Sequence, residues 1–249
     1  MTQKTLSTRS WIELLLLSAI WGGSFLSIRI ALDEVGFVTS VAHRVGWAAL
    51  LLWGVIFVRA IPVSRTPRIW LAFFGMGLLN NVIPFSLMAW GQLHIASGLT
   101  SILNAGTAVF GVLVAALFFA DERLTGRRLI GVLLGFAGVA TAIGLGSFTD
   151  FDISSIAQLA VIAGTISYAL AGVWARKMLT DMPPQLAAAG MLTCSALVMI
   201  PAALVLEGPI RFDLLPQTWT GIGYYAVIAT AGAYLLYYRV LAQAGSGNL

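Results

Sequence analysis

Asn80 and Asn81 stand side by side inside an apolar run, with Pro84 four residues beyond Asn80. Amides at that depth can hydrogen-bond an uncharged or zwitterionic molecule. A proline lacks a backbone donor, and in α-helical register it frees the carbonyl of residue 80. Exposed polar backbone inside such a run is tolerated where it lines a cavity. Asn80, Asn81 and Pro84 are therefore the sharpest local sign of a binding site, with plain interhelix packing as the alternative. A later run carries Ala229-Thr230-Ala231-Gly232-Ala233-Tyr234. Its small residues suggest a thin or bent wall, and Tyr234 and Tyr237 add aromatic faces with hydroxyls. Such groups suit an apolar or aromatic side chain joined to an amino-acid backbone, although Tyr237 and Tyr238 also suit an interfacial belt. Three more polar pairs lie deep in apolar runs: Trp21 with Ser24, Asn104 with Thr107, and Ser167 with Tyr168. Each is a candidate for the same site, or simply glue between helices at roughly 1 kcal/mol or less.

Covalent and metal chemistry finds no support. The chain lacks G-x-S-x-G, H-E-x-x-H and G-x-x-x-x-G-K-[ST] patterns and any close carboxylate pair within a run. Cys194 is the single cysteine, so no internal disulfide or zinc site is expected. No cofactor, metal or catalytic residue is expected. Asp121-Glu122 beside Arg123, Arg127 and Arg128 reads as loop salt bridges. Glu13, Arg29, Arg44 and Arg239 read as near the ends of their runs, able to snorkel to an interface or to pair between helices. His43 and His94 read as interfacial hydrogen-bonding groups, with a proton relay as the alternative. With mid-depth segments read as free of lysine and arginine, a phosphate or nucleotide-sugar cargo is disfavoured. A net-neutral zwitterion or an apolar molecule fits better.

These residues sit in a chain of 249 residues that is 59% hydrophobic and only 10% charged, with a mean hydropathy of +0.92. Soluble domains carry about 25% charged residues. That excludes an ordinary soluble enzyme and a disordered protein. The net charge of +4 is spread between apolar runs, which excludes a nucleic-acid binder. Eight runs, at about 11–32, 38–58, 68–92, 98–120, 129–146, 155–174, 184–206 and 219–240, reach the roughly 20 residues a bilayer span needs. They are continuously apolar and do not alternate, so the expectation is an all-α integral membrane protein and not a barrel. The first run, although it follows Lys4 and Arg9, is long enough to be an uncleaved span that also targets the chain.

Basic residues favour cytoplasmic loops. With the N-terminus inside, the inner segments hold Lys4, Arg9, Arg59, Arg65, Arg68, Arg123, Arg127, Arg128, Arg176, Lys177 and Arg239, and the outer ends hold Arg29, Arg44 and Arg211. The N-terminus is therefore expected in the cytoplasm. Gly131 and Gly135 form a GxxxG on the fifth run, read as close helix packing, with a dimer face as the sharper alternative. Pro183-Pro184 opens the seventh run, and Pro201 is expected to kink it.

A shift of 149 places the third run on the eighth: Trp70 meets Trp219, Phe85 meets Tyr234, Leu87 meets Leu236, and Ser97-Gly98 meets Ser246-Gly247. A shift of 147 places the first on the sixth, with Trp21 on Tyr168 and Arg29 on Arg176. The expected repeat unit is five helices, and an odd number inserts the second unit upside down. The expected organisation is a first five-helix unit at 1–150 and an incomplete second unit, helices 6–8, at 151–249. A complete ten-helix version would run to about 295 residues.

Ala19-Ile20-Trp21-Gly22-Gly23-Ser24-Phe25 resembles the first-helix signature of the EamA-type drug/metabolite transporters. Arg44 matches a recurring arginine in the second helix of that family. Ala96-Ser97-Gly98 fits before the fourth helix. The stretch from Phe119 to Thr125, followed by Gly131 and Gly138, resembles the junction of helices four and five. The resemblance covers nearly the whole chain. It implies ten helices in two inverted units of five, both termini cytoplasmic, and a central cavity. It also implies export of amino acids or other small metabolites or drugs, most like bacterial amino-acid exporters of the aromatic type. The shorter multidrug pumps of the superfamily place a glutamate mid-way along helix one, where this chain reads Ile20-Trp21-Gly22. Proton-coupled cation export is therefore not expected. The reading is an inner-membrane exporter, monomeric, working by alternating access on a small neutral substrate between helices 1, 3, 4, 6 and 8. The rivals are a membrane-embedded enzyme acting on a lipid-linked substrate and a non-transporting partner subunit.

Overall fold

The computed structural model describes residues 8–244 apart from 121, 123, 145, 147–149, 154 and 181. The expectations placed on Lys4, Asp121, Arg123, Ser246 and Gly247, and on the side chain of Tyr238, lie outside the described residues. The apolar runs are helices: α1 (Thr8–Leu32), α2 (Phe37–Val58), α3 (Pro67–Gly91), α4 (Ser97–Phe118), α5 (Gly126–Ile143), α6 (Ile156–Met178) and α7 (Pro184–Leu206). All seven are long and apolar enough to cross a membrane. The eighth run is α8, continuous through Pro216–Gly223, Tyr224–Gly232 and Ala233–Ala244. The middle part of α8 is wound as a π-helix, as is Leu78–Val82 within α3. The described residues contain no strand.

Helix ends fall where the sequence supplies a stop or a cap. Thr125 accepts a hydrogen bond from the Arg128 amide at 3.3 Å, which starts α5 three residues before its apolar run. Gly144, with φ of +110°, ends it. Two carboxylates cap helices from other parts of the chain. Glu207 accepts from the amides of Val38 (3.0 Å) and Thr39 (2.8 Å) at the start of α2. Glu34 accepts from the Leu215 amide (3.0 Å) and the Thr218 hydroxyl (2.6 Å) at the start of α8. Negative charge is favoured there because the first amides of a helix lack partners and its dipole is positive at that end. Gly36 leaves room for this arrangement, since a methyl group on it would press on the Glu207 carboxylate and displace it. In the loop between α7 and α8, hydrogen bonding from Arg211 (3.0 Å) holds the Asp213 carboxyl below its ordinary value.

The pair α2–α7 forms the centre, with Val45, Ala48, Leu52, Ala188, Met191 and Leu192 among its buried side chains. Around it α1 packs on α8, α3 packs on α6 and α7, and α4 packs on α6. At one end of α1, Glu13 is buried and pairs with Arg9 (3.1 Å) and with Arg239 of α8 (2.9 Å). The interhelix salt bridge read for Glu13 and Arg239 is thus present. Helix α5 departs from expectation. Among the described helices it packs mainly on α4, and a methyl group on Gly131 or Gly135 would meet nothing within 4 Å. The GxxxG therefore packs against no described helix, because α5 lies at the edge of the bundle.

Candidate functional site

The π-helical turn in α3 sets the site. The Ile83 amide donates to the carbonyl of Leu78, five residues back instead of four. The donor that Pro84 lacks is thereby missed by Leu79, not by Asn80 as α-helical register predicts. The Leu79 carbonyl is served from α6, where the Ser167 hydroxyl donates to it at 2.7 Å. Pro84 itself packs at the place where α6 carries Gly164. A methyl group there would lie 3.5 Å from the Pro84 Cα and carbonyl oxygen.

The wide turn directs both asparagines inward. Asn80 donates its amide to the Tyr234 hydroxyl at 2.8 Å. Tyr234 donates to Asn81 Oδ1 at 3.2 Å. The Asn81 amide donates to Ser195 on α7 at 3.0 Å, and Ser195 donates to the Met191 carbonyl at 2.7 Å. Asn81 and Ser195 are wholly buried, whereas Asn80 and Tyr234 are half-buried at mid-helix. Gly77 permits the approach of α3 to α7, since a methyl group on it would lie 2.7 Å from the Met191 carbonyl. Helices α3 and α8 are not packed against each other in the way α2 and α7 are. The π-helical stretch of α3 meets α8 through side chains, at Tyr234, two residues past the π stretch of α8.

The π stretch of α8 has its own partners. The Thr230 hydroxyl donates to the Tyr225 carbonyl, five residues back, at 2.7 Å. The same oxygen accepts from Nε of Arg44 at 2.9 Å. The guanidinium carbon of Arg44 lies over Phe85, 3.8 Å from the ring centre. Ser40 donates to the Tyr225 hydroxyl at 3.2 Å. From α1, the Trp21 indole donates to the Ala229 carbonyl at 3.1 Å.

Seven of the sequence-predicted residues thus meet around the two breaks: Asn80, Asn81, Pro84, Ser167, Thr230, Tyr234 and Trp21. Tyr168 joins them edge-on to Phe85, with ring centres 6.4 Å apart, and Tyr237 packs beside Trp21 at 6.1 Å. Ser24 spends its hydroxyl on its own helix, donating to the Trp21 carbonyl at 2.6 Å. Asn104 and Thr107 are not brought to this cluster. They lie on α4, which packs on α6, α5 and α1, and Asn104 Oδ1 and Thr107 Oγ1 are buried without a hydrogen-bond partner among the described residues.

Arg44 requires a correction. It does not snorkel to an interface. It lies seven residues, about 10 Å, into α2, is 9% exposed, and turns sideways toward α3 and α8. The premise that mid-depth segments hold no cation falls with it. Its position well inside a span was the signal that could have found it. Ser40, Ser195 and Tyr225 carried no such signal, because serine and tyrosine are ordinary in membrane helices.

A cleft of about 500 Å³, lined by Arg59, Gln185, Gly232, Leu235 and Arg239 among others, opens where α2, α7 and α8 end, and reaches the last residue of the π stretch of α8. The cluster offers hydrogen bonds, aromatic faces and one cation. Among the described residues no group of three or more His, Cys, Asp or Glu could hold a metal ion.

A bundle of membrane-length helices with a polar cluster at two opposed helix breaks defines a multi-pass membrane protein of the transporter class. The chain belongs to the EamA-like transporter family, whose model matches residues 9–144 and 155–249. It is 25% identical to an uncharacterized transporter of Archaeoglobus fulgidus over 98% of this chain and 84% of that one. It is 29% identical to a probable terminal-alkyne amino-acid exporter of Streptantibioticus cattleyicolor, over 69% of this chain and 57% of that one. It is 24% identical to a probable amino-acid metabolite efflux pump of Escherichia coli, over 96% and 80%. A solved crystal structure shares the fold at a TM-score of 0.72 and 17% identity, covering 96% of this chain and 80% of its own.

Proposed function

We propose that this protein exports amino acids or similar small neutral metabolites across the bacterial inner membrane by alternating access, with substrate passing the cluster between α3 and α8. One observation carries the reading: Asn80 and Asn81, in the π-helical break of α3, form a hydrogen-bonded relay with Tyr234, two residues past that of α8, and two of its members stay half-buried at mid-helix. Polar side chains and irregular backbone at that depth suit a substrate path. Two relatives whose names include amino-acid export or efflux support the substrate class.

The inverted five-helix repeat, with units at 1–150 and 151–249, belongs to the same proposal. The shift of 149 carries the π stretch Leu78–Val82 onto residues 227–231, inside Tyr224–Gly232. Helix α1 packs on α8 as α6 packs on α3. In each pair a side chain donates to a carbonyl of the π stretch, Trp21 to Ala229 and Ser167 to Leu79. The protein acts as a monomer with its N-terminus in the cytoplasm. In that orientation the cleft by Arg59 and Arg239 faces the cytoplasm.

The test is efflux of radiolabelled neutral amino acids from cells overproducing the chain, with Asn80→Ala as control. Asn80 is better suited than Asn81, whose amide ties α3 to α7. Faster efflux that the variant abolishes, at equal protein level, supports the proposal. Unchanged efflux of every amino acid refutes the amino-acid reading.

A further inference from the structure

Arg44 is a cation buried among apolar helices without an anion. Among the described residues no carboxylate lies within 4 Å of it. Of its five N–H donors, the one on Nε is used, on Thr230. Its two terminal amino groups make no hydrogen bond to a described residue, although Phe85 and Thr230 hold the guanidinium in place. A charged side chain within a membrane span is costly unless it is paired. Contact with an aromatic face offsets part of that cost. The fork of free N–H groups is the geometry that takes a planar oxyanion with two parallel hydrogen bonds.

The surroundings select among oxyanions. Arg44 is alone, with no lysine or second arginine among its hydrogen-bond or ring partners, so a single negative charge matches it. Tyr168 packs on the same Phe85 ring, and Thr230 stands one turn before Tyr234. Asn81 Oδ1, the acceptor of the relay, is buried beyond that tyrosine.

We propose that Arg44 binds the carboxylate of the transported molecule, so that the substrate class is a small monocarboxylate, amino-acid zwitterions included, and not a neutral amine, amide or ester. The inference rests on the export reading for its transport assay and stands apart from it in a binding assay. The guanidinium is held ready by Phe85 and Thr230, and substrate carboxylate completes its charge pairing. The α-ammonium of an amino acid would then face the oxygens of Asn81 and Tyr234.

The full chain is reconstituted in proteoliposomes, and exchange of L-phenylalanine and of L-phenylalaninamide is measured. In parallel, thermal unfolding in detergent is followed with L-phenylalanine, L-phenylalaninamide, 3-phenylpropionate and sodium chloride at matched ionic strength. The expected result is exchange of the acid at least tenfold faster than the amide, and a rise in Tm with the two carboxylates only. Arg44→Gln is expected to remove both preferences, and Arg44→Lys to keep part of them. Equal handling of acid and amide by the unaltered protein overturns the inference and leaves export standing. A carboxylate-specific Tm rise without exchange supports the inference and refutes export of phenylalanine. A Tm rise equal with chloride means a general anion site and overturns it. No exchange and no Tm rise refutes both. Where Arg44→Gln fails to fold, Arg44→Lys, which keeps the charge and loses the fork, assigns the preference to Arg44 by weakening it.

Discussion

Asn80 reaches across 2.8 Å to the hydroxyl of Tyr234, joining the π-helical stretch of α3 to α8 where the two backbones are not packed together. The bond spans the place where substrate is proposed to pass, so it must open and close in transport. Tyr234→Phe keeps the ring and removes the hydroxyl. Efflux of a neutral amino acid is expected to fall at least tenfold. Stability should change by about 1 kcal/mol or less, as for other single interhelix hydrogen bonds in membranes. Efflux counts alongside Tm in detergent check the pair of outcomes.

Ser167 and Pro84 are coupled through one carbonyl. Ser167→Ala strips the Leu79 carbonyl of its donor and is expected to cost about 1–3 kcal/mol, the usual penalty for an orphaned buried acceptor. In a Pro84→Ala background the new backbone N–H can serve that carbonyl in π register, and the same serine substitution should then cost little. A double-mutant cycle by reversible unfolding in mixed micelles measures the coupling. Additive costs would show that Leu79 does not depend on Ser167.

Gly77→Ala puts a methyl group 2.7 Å from the Met191 carbonyl and 2.9 Å from the Ser195 hydroxyl. Backbone cannot yield as a flexible side-chain end can, so α3 and α7 must separate and the Asn81–Ser195 bond must lengthen. Overpacking of this kind typically costs about 1–3 kcal/mol. The expected outcome is a lower Tm together with reduced efflux. Gly131→Ala on α5, where nothing lies within 4 Å, should leave both unchanged.

Glu207→Ala removes the carboxylate that caps α2 through Val38 and Thr39. The loss is expected near 1–2 kcal/mol, at the upper end for helix caps. Gly36→Ala should destabilise by displacing the same carboxylate, and the double variant should be less unstable than the sum of the singles. Equilibrium unfolding of the three variants tests this.

The orientation can be read with cysteine labelling, because Cys194 is the single native thiol and is buried. In a Cys194→Ser background, Ser64→Cys between α2 and α3 should resist a membrane-impermeant maleimide in intact cells. Phe212→Cys between α7 and α8 should react. The reverse pattern would invert the topology.

Much of this protein is local in origin, and the sequence alone determined it. Hydropathy and run length set the helices. Pro84 marked the break in α3, and the signature around Trp21 with the Phe119–Thr125 junction pointed to the family. Each depends on residues close in the chain, since a bilayer leaves a polar backbone almost no option but helix. Tertiary structure decided which polar groups meet. One extra residue in a helical turn rotates everything beyond it by about 100°, so the π stretches moved the freed carbonyl from Asn80 to Leu79. Ser195 entered the cluster because Gly77 lets α7 come close, and Asn104 and Thr107 stayed out because α4 packs on α6. Arg44 lies within an apolar run, where sequence shows the charge but not the direction of the side chain. Only Phe85 on α3 and Thr230 on α8, brought beside α2 by packing, turn it inward and make it a site.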